Sequence, residues 1–255
     1  MTANPGWPEI KDALLPGQTA SDRPDLVVRV FHTKLISLIK EIRRGVLGDW
    51  AAHLYTIEFQ KRGLPHAHIV VFLQPQAKLR TPEDIDSLMS SEFPTNNDAL
   101  LELIKTYMVH KPCGVYNSTA PCMVNGACSK GFPKPLRAET GITEDSYACT
   151  RRRDTGHTYK VGNNDVDNRW VVCHSPYLIW KYRCHINMES IASVKAIKYI
   201  YKYVYKGHDR TTMQFGRSID EIKLYLDACY ISSYEAMWRL YLFNMQEHIP
   251  TVMRL

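Results

Sequence analysis

The sequence predicts an α+β fold. A central antiparallel β-sheet carries a pair of histidines, helices pack on one of its faces, and a Cys/His-rich insertion is stapled by a metal ion. Three observations predict it. Residues 25–44, "DLVVRVFHTKLISLIKEIRR", set Val28, Phe31, Leu35, Leu38 and Ile42 at three- and four-residue spacing, the stripe of an amphipathic helix. "HLYTIEF" and "HAHIVVFL" then read as two strands, rich in β-branched and aromatic residues. From 111 to 170 periodicity gives way to Cys, Gly, Pro and Arg, and a loop of that length inside a compact domain needs a staple.

In chain order, residues 1–24 are rich in Pro and Gly and read as an irregular arm. The abrupt opening "MTANPGWPEI" suggests a missing upstream strand, whose loss would leave a sheet edge unpaired. Residues 25–210 form the main domain, with the insertion at about 110–170, and 211–255 form a helical extension. Asp22, or Pro24 with Asp25, can start the first helix. "TPEDIDSLMSSEF" and "NNDALLELIKTYMVH" read as helices opening on Thr and Asn. "YKVGNNDVDNRWVV" suggests a hairpin with an Asn-rich turn, and "YRCHINME" a further strand. "SIASVKAIKYIYKYVYKG" reads as a helix stopped by Gly207. "SIDEIKLYLDA" and "SSYEAMWRLYLFN" read as two more helices.

Composition narrows the function classes. The chain has 255 residues, 45% of them hydrophobic, enough for one large core or a core plus an appendage. No run of 18 apolar residues occurs, so no membrane span is predicted, and no secretory signal is visible. Seven cysteines, an odd number without a secretory signal, favour metal binding or free thiols over a disulfide framework. The net charge of +6 is compatible with a nucleic-acid partner.

The histidine pair lies in "EFQKRGLPHAHIVVFL". A three-residue hairpin loop, Lys61-Arg62-Gly63, takes glycine at its last, left-handed position. In that register Glu58 lies opposite His66 and Gln60 opposite Leu64. Side chains alternate along a strand, so Glu58, Gln60, His66 and His68 share one face while Phe59, Ala67, Ile69 and Val71 share the other. Two imidazoles with a carboxylate or amide suit Mg²⁺ or Mn²⁺ acting on phosphate. The bland alternative is two histidines in a polar groove with hydrogen-bond partners. A two-residue loop would turn Glu58 and Gln60 away together.

In "KAIKYIYKYVYKG", rotation by about 100° per residue puts Ile197, Tyr201, Val204 and Tyr205 on a core stripe. Tyr199 and Tyr203 fall elsewhere, one turn apart, flanked by Lys195, Lys202 and Lys206. Phenols beside cations have the character of nucleophiles. In "HKPCGVYNSTAPCMVNGACSKGFPK", His110, Cys113, Cys122 and Cys128 make a full tetrahedral zinc set, although the spacing is not that of a standard finger. Scattered free thiols are the alternative. Arg151, Arg152 and Arg153 in "TRRRDTG" are either a solvated surface or phosphate contacts.

The sequence resembles the Rep domain of Helitron transposases, in the HUH endonuclease superfamily. "EFQKRGLPHAHI" is like the family's His-hydrophobic-His motif. "YIYKYVYK" is like its two-tyrosine motif, matched at Tyr199, Lys202, Tyr203 and Lys206. "DRPDLVVRVFHTKL", "CSKGFPK" and "HINME" also look like family stretches, so the likeness runs essentially the length of the chain. Cys173 and His174 in "VVCHSPYL" depart from it, standing where a proline and an aromatic are expected. The resemblance implies nicking of single-stranded DNA, with a tyrosine taking the 5′ phosphate and a 3′ hydroxyl left free. His66, His68 and a third ligand, Glu58 before Gln60, would hold the Mg²⁺ or Mn²⁺. Tyr199 or Tyr203 would attack, the other serving a second transfer, with Lys202 and Lys206 stabilising charge. The family's full-length protein carries a helicase domain, and this sequence has no Gly-x-x-x-x-Gly-Lys-Ser/Thr phosphate loop. The chain is therefore expected not to be an ATP-dependent helicase, and to work on DNA inside the cell, in the nucleus. The runner-up is a non-catalytic DNA-binding remnant. A zinc-stapled interaction protein without a DNA role is a third reading.

Overall fold

The computed structural model describes residues 1–59, 63–143, 147–190 and 231–250. Along them run α1 (Pro8–Lys11), α2 (Pro24–Arg43), β1 (Trp50–Phe59), β2 (Pro65–Leu73), α3 (Pro82–Leu88) and α4 (Asp98–Tyr107). Short strands follow: β3 (Met123–Val124), β4 (Ala127–Cys128), β5 (Gly141–Ile142), β6 (Ala148–Cys149), β7 (Tyr159–Val161) and β8 (Asn164–Val166). Then come α5 (Pro176–Tyr182), α6 (Ser233–Leu240) and β9 (Gln246–Ile249). The fold mixes helices with small antiparallel sheets, and the chain divides into two compact units.

One unit comprises Thr2–Val46, Trp50–Phe72 and the described part of Ile197–Leu255. Its sheet has the order β2-β1-β9. β9 runs antiparallel to β1, from His53 opposite Ile249 to Thr56 opposite Gln246. β1 and β2 are hydrogen-bonded neighbours joined by a five-residue link, which can only connect antiparallel strands. α2 opens with Pro24 as its first residue and Asp25 in its first turn. Asp22 caps differently, accepting from Thr19 N–H and Oγ1–H. Val27, Val28, Phe31 and Leu35 are fully enclosed, each contributing about 1.5–3 kcal/mol of burial. Trp238 of α6 meets Phe31 at 5.9 Å and Phe59 of β1 at 6.1 Å between ring centroids. His53, Tyr55 and Ile57, on the same side of β1 as the half-buried Phe59, are buried. Glu58 alternates with them along β1 and meets His68 of β2 at 2.9 Å.

The start of the chain differs from the expectation of an open edge. Thr2 forms a β-bridge with His66, and Ala3 N–H donates to Pro65 O at 3.0 Å, so β2 is paired at that point. The expected arm contains α1, whose Ile10 is buried beside an equally buried Trp7. Lys34 of α2 reaches both Trp7 and Glu9.

The other unit comprises Met1, Leu47–Asp49 and Leu73–Ala196, of which it is described through residue 190. The predicted start signals operate. Thr81 Oγ1 accepts from Asp84 N–H at the head of α3, and Asn97 Oδ1 accepts from Leu100 N–H at the head of α4. The predicted hairpin over "YKVGNNDVDNRWVV" is β7–β8, turning at left-handed Gly162. Ile85, Met108, Val171 and Ile179 form its innermost core. "YRCHINME" does not form the strand expected of it. Arg183 turns left-handed at the end of α5, and Met188 N–H and Ser190 O bond to Cys173 and Ala148 without entering a ladder. α5 and β9 have no counterpart among the elements read from the sequence. "SIASVKAIKYIYKYVYKG" and "SIDEIKLYLDA" lie outside the described residues.

Candidate metal centre

β3 and β4 are joined by Asn125-Gly126, both at positive φ, the two-residue turn an Asn-Gly pair favours. The turn folds Cys122 and Cys128 back on each other, and Ser129 N–H donates to Cys122 O at 2.7 Å. α4 ends just upstream, and His110 N–H donates to Trp170 O at 2.9 Å, which fixes the His110 backbone. Its ring is stacked on Phe132 at 4.4 Å. The ligand atoms of His110, Cys113, Cys122 and Cys128 all lie within 4.8 Å of one another. His110 Nε2 is 3.6 Å from Cys113 Sγ and 3.5 Å from Cys128 Sγ. A tetrahedron with Zn–N and Zn–S bonds of ordinary length has an N···S edge of about 3.6 Å. The four residues that the sequence singles out are brought together, and they can hold a metal ion such as zinc.

The electrostatics agree. Burial, followed by Lys130 and Lys134, lowers the His110 pKa, favouring the neutral imidazole that ligates. Burial, then hydrogen bonding with Cys122 and Cys128, pushes the Cys113 thiol up to about 12. Burial acts in the same sense on Cys128, but N–H groups of Phe132 and Lys130 outweigh it and hold that thiol below its ordinary value. Three sulfurs this close ionise together only around a cation.

The three adjacent arginines are engaged within the unit. Arg152 is buried, and its Nη1 donates to Asn168 O at 2.7 Å and Val171 O at 2.5 Å. A guanidinium spent on two interior carbonyls holds chain segments together rather than facing solvent. Arg153 grips Glu92 with two parallel bonds, Nε to Oε1 at 2.9 Å and Nη2 to Oε2 at 2.6 Å. Arg151 reaches Asp86 at 3.0 Å. Arg151 and Arg153 keep 42% and 52% of their side-chain surface exposed.

In the sheet unit, the His66 and His68 rings lie 4.6 Å apart. His68 Nε2 is 2.9 Å from Glu58 Oε2, and His66 Nδ1 is 2.6 Å from Thr2 Oγ1. Gly63, in the link between the two strands, has φ +84. A Cβ there would meet Tyr234 Cδ2 at 2.8 Å, so glycine is required on two counts. Thr2 has no motif to announce it, because a partner 64 residues away is set by the sheet edge alone.

Residues 1–71 match the family model described as "Helitron helicase-like domain at N-terminus". This segment is Helitron-like. It contains Glu58, His66, His68 and Thr2, and it ends before the cysteine cluster. No curated protein matches the chain. Among the described residues, no helix is long and apolar enough to cross a membrane. Gln60, Lys195, Tyr199, Lys202, Tyr203 and Lys206 lie outside the described residues.

Proposed function

We propose that the protein nicks single-stranded DNA and transfers the strand through a 5′-phosphotyrosine, in the course of Helitron transposition. The observation that carries the reading is the His66–His68 pair with Glu58 against it, inside the Helitron-like segment. The donor set of two imidazoles and a carboxylate suits Mg²⁺ or Mn²⁺, which when bound polarises a phosphate and offsets its developing charge. His66, His68 and Glu58 would hold the ion, with Gln60 as the alternative third ligand. The hydrogen bond between His66 Nδ1 and Thr2 Oγ1 orients the ring, as outer partners of metal-ligating histidines do. The Oη of Tyr199 or Tyr203 attacks phosphorus and gives up its proton. The O–P bond to the 3′ oxygen breaks, and that oxygen leaves as the 3′ hydroxyl. Lys202 and Lys206 favour the phenolate and the charged phosphate. The exposed parts of Arg151 and Arg153, with Lys195, would add phosphate contacts. The reading puts the protein with its DNA, in the nucleus.

The test is incubation with labelled single-stranded DNA and Mn²⁺, followed by a denaturing gel. A covalent protein–DNA band is expected, and the Tyr199→Phe/Tyr203→Phe double variant should lack it. DNA binding without any adduct would leave the non-catalytic remnant as the answer. Thr2 gives a finer measurement. Thr2→Val is expected to weaken Mn²⁺ binding about 10–100-fold, read by electron paramagnetic resonance, while Thr2→Ser preserves it. Equal affinities for all three proteins would remove Thr2 from the site.

A further inference from the structure

The segment from His110 to Arg137 contains Lys111, Lys130, Lys134 and Arg137 and no acidic residue, although the chain carries 26 acidic residues against 32 Lys and Arg. The nearest acids along the chain are Glu102 and Glu139. Among the described residues none of the four cations enters an ion pair, unlike Arg151, Arg153 and Arg169 in the same unit. A tetrahedral Zn²⁺ with three thiolates and a neutral imidazole sums to one negative charge. The stapled segment therefore remains cationic with its metal in place.

The same segment exposes large apolar side chains. Val115 is 99% exposed and Tyr116 53% exposed, each within three residues of Cys113. Tyr116 stands edge-on to Trp170 at 5.8 Å, and Trp170 lies parallel to the His110 ring at 6.4 Å. On His110 lies Phe132, whose ring carries Lys134 Nζ at 5.2 Å. Lys130 and Lys134 are close enough to act on His110. An exposed phenol, a stack of rings and unpaired cations are thus gathered around one metal-ligating histidine. Unpaired cations flanking an accessible aromatic match what a single strand presents, phosphates along one side and unstacked bases along the other. A duplex hides its bases and would leave Tyr116 and Val115 without a partner.

We infer that this stapled surface is a docking site for single-stranded DNA, with Lys111 and Lys130 on phosphates and a base stacked on Tyr116. The inference rests on the DNA reading for the identity of the polymer, but not on the histidine pair or the tyrosines.

The experiment is a fluorescence-anisotropy titration of the zinc-loaded full chain with a labelled single-stranded oligonucleotide across a range of salt concentrations. For Lys111→Ala/Lys130→Ala, the slope of log affinity against log salt should fall by about 1.4, since each lost phosphate contact on a single strand removes about 0.7. Tyr116→Ala should weaken binding about fivefold to a hundredfold, and Tyr116→Phe should restore it. Lys40→Ala, at an exposed position of α2, should match the wild type. Zinc content equal to wild type in every variant excludes loss of the staple as the cause. If the wild type binds the strand while the double variant and Tyr116→Ala match it in slope and affinity, the surface is not the docking site and the DNA reading stands. Tighter binding of the matching duplex, with Tyr116→Ala neutral, would also overturn it. A wild type that binds no single strand would overturn both.

Discussion

Cys113→Ala is expected to abolish zinc binding and to release residues 111–137 to proteolysis, and a chelator should do the same to the wild-type chain. The reason is the near absence of a local core. Between His110 and Arg137, Cys113 is the one residue that is fully buried, and Val115, Tyr116, Val124 and Leu136 are exposed. Prolines and glycines make up much of the rest and pack little. What orders the segment is convergence of three sulfurs and one imidazole, and zinc in such sites contributes about 10–16 kcal/mol to folding of isolated fingers. Most of that stabilisation is lost with one ligand, so the effect should exceed that of an ordinary core substitution, about 2–5 kcal/mol. Cys184→Ala is the control, since Cys184 is fully buried in the same unit and outside the cluster. It should retain one zinc per chain and an undigested 111–137 segment. Metal analysis and mapped proteolytic cuts read both effects. A Cys113→Ala protein with full zinc content would sink the assignment of the four ligands.

His66→Ala is expected to lower Mn²⁺-dependent nicking at least about a hundredfold, or about 2.7 kcal/mol of transition-state stabilisation. The Thr2 hydroxyl holds Nδ1 of His66 and so sets the orientation of the ring. A flexible donor elsewhere on the surface would not replace it. Glu58→Gln should cost more than Gln60→Ala if Glu58 is the third ligand, because its carboxylate already contacts His68. The reverse order would transfer that role to Gln60. Nicking by His66→Ala at the wild-type rate would remove the pair from the chemistry, whatever the tyrosines do.

Local signals made much of this legible in the sequence. The four metal ligands could be named because the residue types are chemically rare and sit where periodicity fails. α2, α3 and α4 could be placed because Pro24, Thr81 and Asn97 punctuate apolar stripes. Alternation along a strand pairs His66 with His68 on one side, and Glu58 meets His68 there. What escaped depends on distant partners. β9, "QEHI", has no strand pattern of its own and becomes a strand by pairing with β1. Arg152 looks like its neighbours in "TRRRD", and only tertiary placement separates an interior guanidinium from two ion-paired ones. "YRCHINME" has strand-like residues, but a left-handed Arg183 and bonding to two separate segments keep it out of a ladder.

The sheet that carries the histidines is assembled from the two ends of the chain, and this has a consequence for biosynthesis. Arg43 bonds to Glu247, 204 positions later, and β1 finds its second neighbour only in β9. A ribosome adding 5–20 residues per second needs on the order of ten to forty seconds to travel from β1 to β9. For that interval one side of β1 has unsatisfied N–H and C=O groups, a template for pairing with another nascent chain. The intervening cysteine-rich unit emerges first and needs only zinc to close its staple. Zinc-poor growth should therefore add an unfolded insertion to the strand that is open during synthesis in any case, and yield of the protein should depend on metal supply.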